Sequence, residues 1–287
     1  MPLFGNYIRE MPSVSIIIPT FNRSQRVLRA VQSVIDQEYK DLEIIVIDDG
    51  STDDTYKNLK KLKNFIKYIR IDKNRGVSVA RNVGIKNSIA PWIAFLDSDD
   101  YWLSKKLKFQ MEFIYNNPKA IACQTEEVWI RNGRRVNPKL KHKKPSGDIF
   151  YQSLKLCLIS PSSVAIKRSV FDEIGFFDES FAAAEDYDLW LRISCRYPIY
   201  LINKELIIKE GGHDDQLSQK FQGMDRFRIR AIVRLITSGV LSLEQRAGAI
   251  EELKNKCNIY GNGCMKRGKK EEAVFYLSMP ERIAGME

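Results

Sequence analysis

No stretch of this sequence approaches the ~20 consecutive apolar residues that a helix needs to cross a bilayer. Its first residues, MPLFGNYIREMPS, lack the basic start and long apolar run of a signal peptide. Any membrane contact is therefore expected to be peripheral. Cysteine is sparse: Cys123, Cys157, Cys195, Cys257 and Cys264 form an odd, scattered set with no C-x-x-C pair. That argues against a disulfide framework and a zinc site. The five read as reduced and mostly buried, so the expected location is cytoplasmic. Glycine cradles are missing too. Where a dinucleotide-binding fold would carry G-x-G-x-x-G, the first apolar run is followed by PTFNRS, and there is no Walker loop. Bound phosphates would have to be met by a metal and basic side chains.

What is present is a chain of 287 residues, 44% of them apolar, enough for one large α/β domain with an appendix. The formal charge is +10, unevenly spread. Residues 131–144 (RNGRRVNPKLKHKK) hold seven Lys or Arg and no acid, and 220–287 hold 13 against 8 acids. Such surfaces favour anionic partners, although a basic run is as readily a solvated loop.

Residues 14–18 (VSIII) form an apolar run that fits a buried parallel strand, ended by Pro19. The period then changes. Val27, Ala30, Val31, Val34 and Ile35 recur at three and four residues, giving one helical face. The alternation repeats, with strands expected at 42–47, 66–71 and 92–96 and helices at 55–62, 79–87 and from about 103. It predicts an α/β fold with a doubly wound, mostly parallel sheet. Further on, a strand is expected at 120–130 and a loop or hairpin at 131–148. Helices are expected at 169–174 and 185–196, and an edge strand at 200–209. The organisation read from this is a domain over 1–223, with halves at about 12–118 and 119–223, and a C-terminal helical appendix over 224–287.

Ligands of open parallel sheets bind at the carboxyl ends of the strands. Three polar motifs fall there: Pro19-Thr20-Phe21-Asn22, Asp48-Asp49-Gly50-Ser51 and Asp97-Ser98-Asp99-Asp100. Three carboxylates in four residues repel one another unless a cation is present. Helix capping accounts for one of them, and the cluster reads as a site for Mn²⁺ or Mg²⁺ shared with substrate phosphates. Asp48 and Asp49 suit either a base or ribose contact or a turn with a helix cap. Arg81 suits either a phosphate or an ion pair. Glu185-Asp186 opens a helix after Phe181-Ala182-Ala183-Ala184, where an acid serves either the helix dipole or as a general base. His213, in a Gly-flanked loop, suits either a metal shell or the surface.

Taken in order, VSIIIPTFNR, EIIVIDDGSTDDT, NRGVSVARNVGI, WIAFLDSDDYW, IGFFDESF, EDYDLWLR and GGHDDQLS resemble glycosyltransferase family 2 with the GT-A fold, over about residues 12–220. The resemblance implies an inverting, non-processive hexosyltransferase. Its donor would be a nucleotide-sugar, with UDP favoured, and its acceptor a glycan or lipid-linked hydroxyl in polysaccharide, O-antigen or other glycan synthesis. It implies Pro19, Thr20, Phe21, Asp48 and Asp49 at the nucleotide, Arg81 near the pyrophosphate, and Asp97 and Asp99 as the D-x-D motif. Asp99 and His213 would hold the metal, and Asp186 would be the catalytic base. The Q-x-x-R-W motif of processive synthases is absent. Two other readings compete, a basic nucleic-acid-binding protein and a nucleotide-sugar-binding module without catalysis. The acids on the rim would repel nucleic acid phosphates, so no nucleic acid partner is expected. A lipid-linked acceptor would bring the basic loop and tail to the inner face of a membrane as a peripheral contact.

Overall fold

The computed structural model describes residues 11–212 and 223–285. The first half alternates strands and helices: β1 (Val14–Thr20), α1 (Ser24–Ile35), β2 (Leu42–Asp48), α2 (Thr55–Leu59), β3 (Lys67–Arg70), α3 (Val77–Asn87) and β4 (Trp92–Phe95). Next come β5 (Tyr101–Trp102), α4 (Lys106–Asn116), β6 (Ala122–Arg131), β7 (Arg134–Val136), α5 (Phe150–Lys155), β8 (Val164–Lys167), α6 (Ser169–Ile174), α7 (Glu185–Ser194) and β9 (Tyr200–Gly211). Three helices follow: α8 (Asp225–Thr237), α9 (Leu243–Lys266) and α10 (Lys270–Ala284).

One sheet runs in the order β3-β2-β1-β4-β8-β6-β9-β5, with β7 paired to β6. The segment β3-β2-β1-β4 is parallel, as expected for β1, β2 and β4 from their continuous apolar runs, with the half-exposed β3 at the edge. Beyond β4 the sheet is mixed. β8 is antiparallel to both β4 and β6, β9 is parallel to β6, and β5 closes the edge. Two expectations are corrected here. β8 was not foreseen: Val164–Lys167 lies directly behind Ser160-Pro161-Ser162-Ser163, which reads as a loop, and runs almost at once into α6. The strand expected at the edge, β9, is covered by the two-residue β5.

β1 is buried along its whole length because helices cover both faces. Val27, Ala30, Val31 and Val34 of α1 pack on the side of Ile16 and Ile18. Ala80 and Ile85 of α3, with Leu189 and Trp190 of α7, pack on the side of Ile17. α3 lies so close to β1 that a Cβ on Gly84 would stand 2.4 Å from Ile17 Cγ2. A third core joins Phe150 and Leu154 of α5 and Tyr187 and Leu191 of α7 to Ile229, Ile232 and Leu235 of α8 and Leu253 and Cys257 of α9. The C-terminal helices thus share a core with the residues before 224. All five cysteines are free thiols.

Residues 131–136 form a hairpin, with β6 and β7 pairing Arg131 with Arg134 and Trp129 with Val136. Its far end is pinned by Lys144, which is buried and donates to Glu127 Oε2 at 2.9 Å and to the carbonyl of Thr125 at 3.0 Å. Against the cost of burial, Lys144 holds the Glu127 carboxyl down at about 2. Among the described residues no helix is long and apolar enough to cross a membrane.

Candidate active site

The loops after β1, β2 and β4 meet α3, α7 and β9 around a cleft of about 680 Å³. That volume suits a small-molecule ligand. Pro19, Thr20, Phe21, Asp49, Arg81, Asp97, Asp99 and Asp186 all line it, so motifs far apart in sequence do share one rim. Another concavity, of about 670 Å³, lies near Ser13, at the amino end of β1, away from the strand ends.

At one end, the loops after β1 and β2 are stitched together. Asn22, left-handed at φ 50°, accepts the Thr52 amide at 2.8 Å and donates its own amide to Ser51 Oγ. Phe21 stands 38% exposed at the mouth. Asp49 accepts the backbone amides of Arg75 and Gly76 at 2.9 and 2.8 Å, which orients the entry to α3. Burial raises its carboxyl above the usual range, and those two amides oppose the rise. Asp48 points elsewhere. It is fully buried, accepts the Ser51 amide and the Tyr68 hydroxyl, and does not line the cleft. The expected nucleotide contact from Asp48 is replaced by a turn-holding role, the alternative open from the residues alone.

In the middle, Arg81 is buried and forks between two carboxylates, Asp97 Oδ1 and Glu185 Oε1, each at 2.7 Å. Its guanidinium also lies over the Phe177 ring at 5.2 Å. Both terminal nitrogens reach protein acids, so Arg81 ties the end of β4 to the start of α7 while lining the cleft. Burial works against ionising Asp97, but the Arg81 charge outweighs it and the carboxyl is held low, with Lys209 and Arg23 adding to the effect. Asp99 pairs with Arg23 at 2.9 Å. Burial still raises it, and the Asp97 charge adds to the rise. Asp100 accepts Ser162 Oγ at 2.6 Å and is pushed well up by burial. It does not cap a helix, since α4 starts only at Lys106.

At the other end, Ala184 takes a left-handed φ of 60° and starts α7. That conformation is uncommon for a residue with a Cβ and recurs at functional sites. It divides the two acids that follow. Glu185 is buried against Arg81, while Asp186 lines the cleft and its Oδ2 accepts the thiol of Cys157 at 3.5 Å. Burial raises Glu185, and the neighbouring Asp186 charge adds to it.

Lining residues missed from sequence include Arg23, Cys157, Lys209 and Arg228. Lys209 on β9 donates to Ser160 Oγ at 3.3 Å. Burial disfavours its charge, but Glu127, Asp100, Asp97 and Asp186 together raise it. Its signal was a lysine interrupting the apolar strand Leu206-Ile207-Ile208. Arg228 reaches the cleft from α8, a helix the sequence placed in an appendix.

Among the described residues no three His, Cys, Asp or Glu side chains converge as a metal cage. His213 lies outside the described residues. Asp97 and Asp99 remain as hard oxygen donors in the cleft, where burial and mutual charge already strain Asp99. That donor set fits a Mg²⁺- or Mn²⁺-type ion, which takes one or two carboxylates and completes its shell with water and phosphate.

The family model described as "Glycosyl transferase family 2" matches residues 15–175, which include the loops after β1, β2 and β4. The chain belongs to glycosyltransferase family 2. It is 37% identical over 195 residues to an uncharacterised glycosyltransferase of Rickettsia felis, across 67% of this chain and 32% of that protein. The chain thus spans about a third of that relative's length. It is 35% identical over 189 residues to the Escherichia coli UDP-Glc:alpha-D-GlcNAc-diphosphoundecaprenol beta-1,3-glucosyltransferase WfaP, across 64% of this chain and 70% of WfaP. The fold of this family member matches S. aureus TarS 1–349 in complex with UDP-GlcNAc, with a TM-score of 0.75 at 22% identity, covering 94% of this chain and 81% of TarS. It also matches the Pyrobaculum calidifontis mannosyltransferase PcManGT in complex with GDP-Man and Mn²⁺, with a TM-score of 0.62 at 14% identity, covering 96% and 86%. The fold is therefore GT-A.

Proposed function

We propose that the protein transfers one sugar from a UDP-sugar to a hydroxyl of a lipid-diphosphate-linked acceptor, with inversion at the anomeric carbon. The observation that carries this reading is the Arg81 fork. It spans 104 residues of sequence to Glu185 and thereby sets Asp186 in the same cleft as Asp97 and Asp99. Family membership supports sugar transfer, and the substrates printed for WfaP support the donor and the acceptor class.

The nucleoside sits at the Pro19-Thr20-Phe21 and Asp49 end, with Phe21 against the base. Asp99, with Asp97 beside it, would hold a Mn²⁺ or Mg²⁺ ion, and such an ion would supply Lewis-acid neutralisation of charge on the diphosphate. Asp186 takes the proton of the acceptor hydroxyl as that oxygen bonds to the anomeric carbon. The bond from that carbon to the diphosphate oxygen breaks, and UDP leaves with the electron pair. The Cys157 thiol holds the far oxygen of Asp186. Ala184 fixes the angle at which the carboxylate enters the cleft.

The test is UDP release from UDP-glucose with a polyprenyl-diphospho-GlcNAc acceptor. Wild type is expected to release UDP only with acceptor present. General-base help is worth about 10²–10⁴-fold, so Asp186→Asn is expected to lose about that factor in kcat. Its affinity for UDP, measured by calorimetry in Mn²⁺, is expected to stay unchanged. Wild-type turnover in that variant would remove Asp186 as the base, and equal UDP affinity with and without Mn²⁺ would remove the metal.

A further inference from the structure

The hairpin after β6 is a built platform of positive charge. Of the seven Lys or Arg in 131–144, two are neutralised, Arg135 by Glu205 at 2.5 Å and Lys144 by Glu127 at 2.9 Å. Arg131, Arg134, Lys139, Lys141 and Lys143 are exposed, and none forms an ion pair among the described residues. The backbone holds them in place. Asn132 and Gly133, at φ 49° and 73°, make the doubly left-handed turn that suits a two-residue hairpin loop. The Trp129 ring packs on His142 at 5.3 Å and carries the Arg131 guanidinium at 5.9 Å. In the midst of these cations, between Lys139 and Lys141, Leu140 stands 92% exposed.

The platform adjoins the cleft. Burial, then the charges of Lys141, Lys139, Arg131 and Arg228, hold the His142 imidazole below its ordinary range. Arg228 is itself a cleft-lining residue. The charge of a cleft-lining arginine is therefore felt at the hairpin's His142.

We propose that residues 131–143 dock this protein on an anionic lipid bilayer, with Leu140 entering the headgroup layer and Arg131, Arg134, Lys139, Lys141 and Lys143 meeting lipid phosphates. Cations at a bilayer surface are drawn to its anionic leaflet, and an apolar side chain flanked by lysines matches the boundary between headgroups and acyl chains. A nucleic acid offers the charge but no place for Leu140. The proposal goes beyond sugar transfer and depends on that reading only for its consequence, that the acceptor end of the cleft opens at the membrane.

The experiment is flotation of the full chain with vesicles of phosphatidylcholine, alone or mixed with phosphatidylglycerol, at low and physiological salt. Wild type is expected to float with the mixed vesicles, less so as salt rises, and not with phosphatidylcholine alone. Each cation is worth roughly fivefold at such a surface, so Lys139→Gln, Lys141→Gln and Lys143→Gln together are expected to weaken binding about 100-fold. Leu140→Ser is expected to lose about tenfold with an unchanged salt dependence. Equal binding to phosphatidylcholine alone, or wild-type binding by the triple variant, would overturn the proposal. So would a Leu140→Ser variant that binds vesicles normally while wild type binds random duplex DNA as tightly. Vesicle binding is read without any turnover, so a failure of the sugar-transfer reading leaves this result standing. Unchanged melting temperatures would exclude misfolding of the variants.

Discussion

At the scale of the residue, the site is governed by charges that are buried in groups. Arg81 is the clearest case, because it serves two acids from opposite halves of the domain. Removing one partner of a buried ion pair costs about 3–5 kcal/mol, since the other charge stays behind unpaired. Arg81→Met leaves two such acids, so urea unfolding is expected to show a loss at or above that range. A loss under about 1 kcal/mol, the value of a surface pair, would sink the assignment. Lys106 is the opposite case. Its ammonium is fully buried over the Trp102 ring with Gln110 Oε1 at 2.6 Å, no carboxylate faces it among the described residues, and burial pushes it well below the ordinary lysine value. The unfolded chain takes up this proton below the ordinary value of 10.5, and the folded chain only lower down. The folded state therefore loses stability as pH falls through that window. Lys106→Met removes the loss. Its stability relative to wild type is expected to rise as pH drops from about 10.4 toward neutral, on top of a constant offset from the orphaned Gln110 oxygen. A difference that does not vary with pH would contradict this.

At the scale of the element, close approach positions the cleft. α3 carries Arg81 and rests on β1 through Gly84, where any side chain would meet Ile17. Overpacking of this kind typically costs about 1–3 kcal/mol. Gly84→Ala is expected to lose that much in thermal or urea unfolding and to shift Arg81 away from Asp97, lowering turnover as well. A variant as stable and active as wild type would mean that the helix rides more loosely than the distances imply. Elements also set what could be read in advance. The strands β1, β2 and β4 were legible because a strand buried on both faces must be a continuous apolar run. β8 and β5 were not: β8 lies between the Ser160–Ser163 loop and α6, β5 has two residues, and both owe their pairing to neighbours distant in sequence. The acids of 97–100 were legible as a charge anomaly, but their division of labour was not. Asp97 goes to Arg81, Asp99 to Arg23 and Asp100 to Ser162, all partners that only the tertiary fold supplies. Asp48 misled for the same reason, since its true partner Tyr68 lies 20 residues on.

At the scale of the whole molecule, the C-terminal helices share a hydrophobic core with the preceding residues. α8 and α9 complete the core around Tyr187 and Leu191 of α7, the helix that bears Asp186. Met224 and Arg228 also close one wall of the cleft. A chain ending at residue 223 is expected to lose cooperative unfolding and to aggregate, whereas a well-folded fragment with a sharp melting transition would mark 224–287 as separable. The Arg81 fork has a further consequence, which concerns synthesis. Ribosomes add about 5–20 residues per second, and Glu185 follows Arg81 by 104 residues. For roughly 5–20 s the growing chain carries Arg81 and Asp97 while Glu185, the second carboxylate partner of Arg81, has not yet been made. The cleft is therefore completed late, as α7 supplies Glu185 and then β9 and α8 supply Lys209 and Arg228.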